Sequence, residues 1–302
     1  MSKLPPAPST DPTAQSDCYH YWRGFVVEHN VSLDTTSGGL GPPEVRSTKA
    51  VAVRDLLAGA VHLILVHELD YRAGRVHDVG EVVVFSKPCY APFRATNLQL
   101  ATSAYYRERE GLEEYIRDPQ DGILTKDATP WARAIAGPSA RAEMSFGSTS
   151  EPWVYCGSHY CGNGELHELK NYFREKAVTA IPDPNGFARW LGIEFALNLD
   201  KMDDIRLRAR EIIADAFCRD IDTVVHVHHG PVHYEDKSGR IAISEDLRDP
   251  HGGLRATFTK KKSFKFQSEY RFAVSTHGDP VETTHYITIS PELREFCHEL
   301  LR

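Results

Sequence analysis

The stretch KSFKFQSEYRFAVS, residues 262–275, places Gln267, Glu269 and Arg271 at alternate positions. In an extended strand that spacing puts the three side chains on one face. A carboxylate fixed there can stabilise positive charge that builds up in a transition state, as in the oxocarbenium chemistry of glycosidic cleavage. A guanidinium two residues on suits a diphosphate, because its planar donors form parallel hydrogen bonds that a lysine cannot copy. The same residues also admit a structural reading. Glu269 and Arg271 then pair with each other, or with lysines across the sheet.

Two other segments hold residues of the same chemical kinds. Arg23 lies in YWRGF on the first strand-like run, and Ser148, Thr149 and Ser150 lie in SFGSTSEPW, just before the strand-like WVYC. Taken singly, Arg23 suits an exposed ion pair worth about 0–1 kcal/mol, and Ser-Thr-Ser suits a turn whose hydroxyls bond the backbone. In chain order, however, an early Arg, a Ser-Thr-Ser and a Gln-x-Glu resemble the R-S-E arrangement of the arginine-specific class of mono-ADP-ribosyltransferases. The resemblance implies NAD as cofactor, its phosphates and ribose bound by Arg23, with Ser148, Thr149 and Ser150 organising the nicotinamide pocket. It makes Glu269 the catalytic carboxylate and Gln267 the residue that helps choose the acceptor. Arg271 would then hold Glu269 in place or meet a cofactor phosphate. The implied activity is ADP-ribosyl transfer to a protein or nucleic-acid acceptor, or NAD cleavage, in a bacterial toxin or phage-defence effector. It requires Arg23 and Glu269 to converge on one cleft, and Glu269→Gln to remove activity while leaving folding largely intact.

VVVFSKPCYAPF, VHYED and FKFQSEYRFAV also resemble uncharacterised bacterial proteins of the domain-of-unknown-function group 2971. Members end in a basic stretch followed by an E-x-E-Y-R or Q-x-E-Y-R strand, and the likeness implies no established activity.

Two further function classes rest on other residues. Arg255, Lys260, Lys261, Lys262 and Lys265 gather in LRATFTKKKSFKF, within a chain of net charge −7. Such a cluster is commonly a solvated turn, but it can also recognise a phosphate-bearing ligand or nucleic acid without any chemistry. CGSHYCGNGELH supplies Cys156, His159, Cys161 and His167. These are zinc-ligand types and point to a zinc-dependent hydrolase, although C-x4-C is looser than the C-x2-C of structural zinc sites. VVHVHHGPVH supplies His226 and His228, which share a face on a strand, while His229 points the opposite way. A histidine pair of this kind can bind a metal or serve as a base near neutral pH. There is no phosphate-loop G-x-x-x-x-G-K-[ST], no G-x-S-x-G elbow, no H-E-x-x-H and no strand–G-x-G-x-x-G–helix unit.

The elements that must position these residues follow from patterning. YHYWRGFVVE, GEVVVFSK, TVVHVHHGPVHYE, RIAISED, LRATFT, YRFAVS and HYITIS read as strands. STKAVAVRDLLAGA, NLQLATSAYYREREGLEEYIRD, GELHELKNYFREKAV, NGFARWLGI and DDIRLRAREIIADAFCRD read as helices, as does SPELREFCHELL with Ser290 as cap and Pro291 at its first position. VHLILVHEL fits a buried strand or a helical turn equally well. The order predicts one α+β domain over residues 18–302, with a mixed or antiparallel sheet and a helical middle portion over about residues 95–220. Residues 1–17, rich in Pro, Ser and Thr, are expected to be a disordered tail. The 302 residues, 41% hydrophobic and 25% charged, suffice for one substantial core. Six cysteines without a secretory leader point to reduced thiols in a cytoplasm. No run approaches the ~18 apolar residues of a membrane span.

Overall fold

The computed structural model describes residues 24–28, 44–55, 60–70, 81–108, 123–127, 129–147, 152–159, 168–169, 171–173, 177–199, 221–235, 256–276 and 284–300. These form an α+β domain built on a large mixed sheet of eleven strands. Its central order is β1 (Gly24–Glu28), β2 (Glu44–Asp55), β3 (Ala60–Asp70), β10 (Thr223–Pro231), β13 (Glu269–Thr276), β8 (Trp153–His159), β4 (Val82–Ser86), β9 (Ala177–Ile181) and β15 (His298–Glu299). β5 (Asn97–Thr102) joins β8, and β14 (Thr284–Thr288) joins β5. Every described pair in this sheet is antiparallel except β3 with β10, which run parallel. β6 (Ile123–Asp127) pairs with β7 (Glu143–Gly147), and β11 (His233–Glu235) pairs with β12 (Thr259–Lys261), as separate two-stranded ribbons.

One face of the sheet is covered by a helix. The helices among the described residues include α1 (Ser103–Glu108), α2 (Thr129–Ala136), α3 (Pro184–Asn198) and α4 (Pro291–Arg294). α3 starts where Asp183 accepts a hydrogen bond from the Gly186 amide at 3.0 Å and Pro184 fills the first turn. Its Phe187, Leu191 and Phe195 pack on Val51, Val53, Ile64, Val66, Val225, Val227, Phe272 and Val274, all buried. Burial of each such side chain stabilises the fold by roughly 1.5–3 kcal/mol. Gly192 lets the helix come close: a Cβ there would lie 2.7 Å from both Ile64 Cγ2 and Val227 Cγ2.

The opposite face carries a smaller cluster of Leu69, Val154, Ala273 and Phe258, with Cys156 packed against it. Phe258 comes from the segment leading into β12, so this segment lies over β3, β8 and β13. A 3-10 helix, Lys262–Gln267, then leads into β13.

Several elements differ from the sequence reading. STKAVAVRDLLAGA is strand through Asp55 rather than helix, its alternating Thr48-Ala50-Ala52 and Val51-Val53 facing the two sides of the sheet. Asn97–Thr102 is strand, and helix begins only at Ser103. The final helix keeps the Ser290 cap, whose hydroxyl accepts from the Leu293 amide at 3.1 Å, but runs only to Arg294 before β15. Within residues 95–220 the described elements include β5–β9 as well as helices. β3 resolves the ambiguity of VHLILVHEL as strand. The expected tail over residues 1–17, the helix DDIRLRAREIIADAFCRD and the strand RIAISED lie outside the described residues.

Candidate functional site

β13 opens on a sharp change of direction. Ser268 caps the 3-10 helix with φ 43° and ψ 43°, its amide donating to the Lys265 carbonyl at 3.1 Å. Its own carbonyl accepts from the His159 amide at 2.6 Å, tying the turn to β8. A left-handed backbone at a residue with a Cβ is disfavoured. The turn therefore rests on what holds its two sides.

What holds it is an ion cluster. The Glu269 carboxylate accepts from Arg271 Nε at 2.6 Å through Oε1 and from Lys260 Nζ at 2.6 Å through Oε2. All three side chains are buried, Arg271 to 1% exposure. Arg271 Nη1 donates to the Thr257 carbonyl, which fastens the covering segment to the sheet. The Tyr234 hydroxyl accepts from the Glu269 amide at 2.7 Å. Burial pushes the Glu269 carboxyl up, but the neighbouring Arg271 and Lys260 charges outweigh it and hold the group at about 2. Burial, then the Glu269 charge, pushes the Tyr234 phenol well above its ordinary value. Glu269 is thus a carboxylate whose ionised form is favoured by its neighbours, with both oxygens engaged. Such a group is a poor proton acceptor and a good fixed charge.

Gln267 ends the 3-10 helix instead of extending β13, so it does not continue the strand face of Glu269 and Arg271; it is buried, while Lys262, Lys265 and Phe266 of the same helix are exposed. Phe266 leans edge-on against Tyr172, ring centroids 4.5 Å apart, and Lys260 Nζ sits 5.4 Å from the Phe264 ring. Counting Lys260, Lys261, Lys262, Lys265 and Arg271 against Glu269, the segment is strongly cationic.

Not all of the remaining candidates fall among the described residues. Arg23, Ser148, Thr149 and Ser150 lie outside the described residues, as do Arg255, Cys161 and His167. Their described neighbours stand away from Glu269. Through Val51, Ile64 and Val225, Glu28 of β1 lies level with Thr276, the far end of β13, and Gly24 lies farther still. β1 is also four strands across from β13, about 20 Å at the usual strand spacing. Trp153, where β8 begins, pairs with Val274, about 16 Å along the strand from Glu269.

The cysteine–histidine loop is divided as well. Cys156 faces the Phe258 side of the sheet, whereas His159 stacks on Tyr270 at 6.4 Å on the α3 side. They stand three positions apart on one strand, so they face opposite ways. Among the described residues, no group of three or more His, Cys, Asp or Glu side chains is placed to hold a metal ion. His229 faces the α3 side and meets the Tyr270 hydroxyl through Nδ1 at 2.8 Å. Burial foremost, with the charges of His67 and Lys49, lowers its imidazole to about 3. His226 and His228 face the other way, as their spacing requires.

Sequence reasoning named Lys260 only as one of a basic run and left Tyr234 and Thr257 unassigned. Nothing local marks Tyr234: it comes to Glu269 because β10 pairs with β13 as far as Pro231–Tyr270 and the Val232 amide then donates to the Glu269 carbonyl at 2.8 Å. No helix among the described residues is long and apolar enough to cross a membrane. No family model, curated protein or solved structure matches this chain.

Proposed function

We propose that the surface formed by β12, the 3-10 helix Lys262–Gln267 and the start of β13 binds a phosphate-bearing ligand that also carries a planar base. The observation behind this reading is the exposure of Lys262, Lys265 and Phe266 on one short 3-10 turn that leads into the buried Lys260–Glu269–Arg271 cluster. Lysines supply charge to phosphate oxygens, and an exposed aromatic ring offers a stacking platform worth about 1–3 kcal/mol per base. The turn is held in place before the ligand arrives, so less ordering entropy is lost on binding. Single-stranded nucleic acid and NAD both belong to this ligand class.

The second reading is ADP-ribosyl transfer from NAD to a macromolecular acceptor, or NAD cleavage. The specific observation in its favour is that Glu269 stays ionised in a buried, low-dielectric setting, where a fixed negative charge best stabilises a ribosyl cation. Arg271 would keep that carboxylate oriented, and Lys260 would withdraw from Oε2 as the ribose enters.

One experiment addresses both readings. A labelled single-stranded oligonucleotide and NAD labelled in its adenylate part are each incubated with the protein at 50 and 200 mM salt. On the binding reading the complex weakens steeply with salt, and the Lys262→Glu, Lys265→Glu double variant loses at least tenfold in affinity. Equal binding by the variant, or none by the parent protein, sinks it. Release of nicotinamide, or label transferred to a lysate component, would establish the transfer reaction. Intact NAD in every tube would remove it.

A further inference from the structure

The aromatic surface that begins at Phe266 does not end there. The Phe266 ring meets Tyr172 edge-on with centroids 4.5 Å apart, and Tyr172 meets Phe173 edge-on at 5.2 Å. Phe173 in turn stacks on Phe85 of β4 at 5.0 Å, the planes 21° apart. Rings from three separate parts of the chain thus make one continuous row. Phe266 is 48% exposed, and Tyr172, Phe173 and Phe85 are half-buried, so each keeps part of its surface in water.

Strand register explains where the row lies. Glu269 pairs with Ser158 of β8, and Ser158 pairs with Val83 of β4. Val82 and Val84 belong to the core under α3, so Val83 and Phe85 face the opposite side, the side of Glu269. Phe85 and Leu300 pack there on buried Val83 and Val178, which anchors one end of the row in the sheet. The other end is the 3-10 turn over β13. Both ends carry exposed cations: Lys262 and Lys265 on the turn, and Lys87 two residues beyond Phe85.

Partly exposed aromatic rings in series between lysines match what a single nucleic-acid strand needs, since bases lie against the rings while phosphates meet the charges. The spacing disfavours a duplex. Successive rings step by 4.5, 5.2 and 5.0 Å, whereas bases stacked in a duplex follow at about 3.4 Å. A strand lying along the row must have its bases drawn apart, which pairing opposes. NAD offers only its adenine and nicotinamide as planar groups, and it covers part of the row.

We propose that Phe266, Tyr172, Phe173 and Phe85 form an extended base-binding row, and that the ligand of this surface is a single strand of nucleic acid several nucleotides long. This rests on the phosphate-and-base reading given above and narrows it to one of its two ligands.

The test is fluorescence-anisotropy titration of the full chain at 50 and 200 mM salt with two labelled strands of equal charge. One is an oligothymidylate octamer, and the other is the same octamer with its bases removed. Stacking worth about 1–3 kcal/mol per base predicts that the complete octamer binds at least about tenfold tighter than the abasic one. Phe85→Leu, at the end of the row far from the lysine turn, should narrow that ratio about fivefold or more. Unlabelled NAD should displace the octamer only at concentrations at least tenfold above those at which unlabelled octamer does. Equal affinity for the two octamers, an unchanged ratio in Phe85→Leu, or NAD competing as well as octamer overturns the row. Salt-sensitive binding of both strands with equal affinity overturns the row alone and leaves the lysine turn as a phosphate site. No binding of either strand removes both. Should Phe85→Leu not fold, photocrosslinking of a 5-iodouracil octamer to the parent protein decides. Adducts on the peptides of both Phe266 and Tyr172–Phe173 are expected, and adducts confined to the Phe266 peptide overturn the row.

Discussion

Glu269 neutralises two buried cations, and its replacement leaves both without their counter-charge. Removing one partner of a buried pair commonly costs about 3–5 kcal/mol, because the remaining charge is stranded away from water. Glu269→Gln is therefore expected to destabilise the protein by about that amount, read as a lowered urea midpoint. A loss below about 1 kcal/mol would show that water reaches the cluster. The expectation that this variant leaves folding intact does not fit a carboxylate with both oxygens engaged by Arg271 and Lys260. Activity measurements on it need a stability control. Lys260→Met, which removes one cation and leaves the Glu269–Arg271 pair, serves as that control.

At the scale of elements, the contact between α3 and the β3–β10 pair depends on a missing side chain. A methyl at position 192 would press on Ile64 and Val227, both β-branched and stiff on their strands. Overpacking of this kind costs about 1–3 kcal/mol, against up to about 1 kcal/mol gained from alanine's better helix propensity. Gly192→Ala should lower stability by roughly 1–2 kcal/mol in urea unfolding, with no effect on binding at the distant Lys262–Phe266 turn. A stabilised variant would mean that the helix rides farther from the sheet. The strand β2 carries a different lesson. Its Ala and Val residues at both even and odd positions imitate a helical stripe, because each face of this strand meets apolar neighbours. Period alone does not separate a strand apolar on both sides from a short helix.

At the scale of the molecule, acidification acts on buried His229 and Glu269 with one sign. His229, held near 3 against an unfolded value near 6.5, contributes stability that is complete above about pH 6.5 and is lost as pH falls toward 3. Glu269, held near 2 against an ordinary 4.5, contributes stability that is complete above about pH 4.5 and is lost as pH falls toward 2, roughly 3 kcal/mol in all. The urea midpoint should therefore be level around neutrality and fall in two overlapping stages below it. His229→Asn should remove part of the first stage and leave the second. A midpoint that rises on acidification would contradict both assignments. The sequence by itself determined the α+β class, the strand that carries Glu269 and Arg271 on one face, the capped start of α4, and the opposed facing of His226 and His228 from His229. These follow from periods of two and from cap chemistry, which are local. Only the tertiary structure decided that Lys260 closes the Glu269 cluster, that Tyr234 reaches its backbone, that Cys156 and His159 part company, and that His67 completes a stack with two histidines some 160 positions later. Those outcomes depend on strand order and register, and pairing energies spread over many residues leave no mark at any single one.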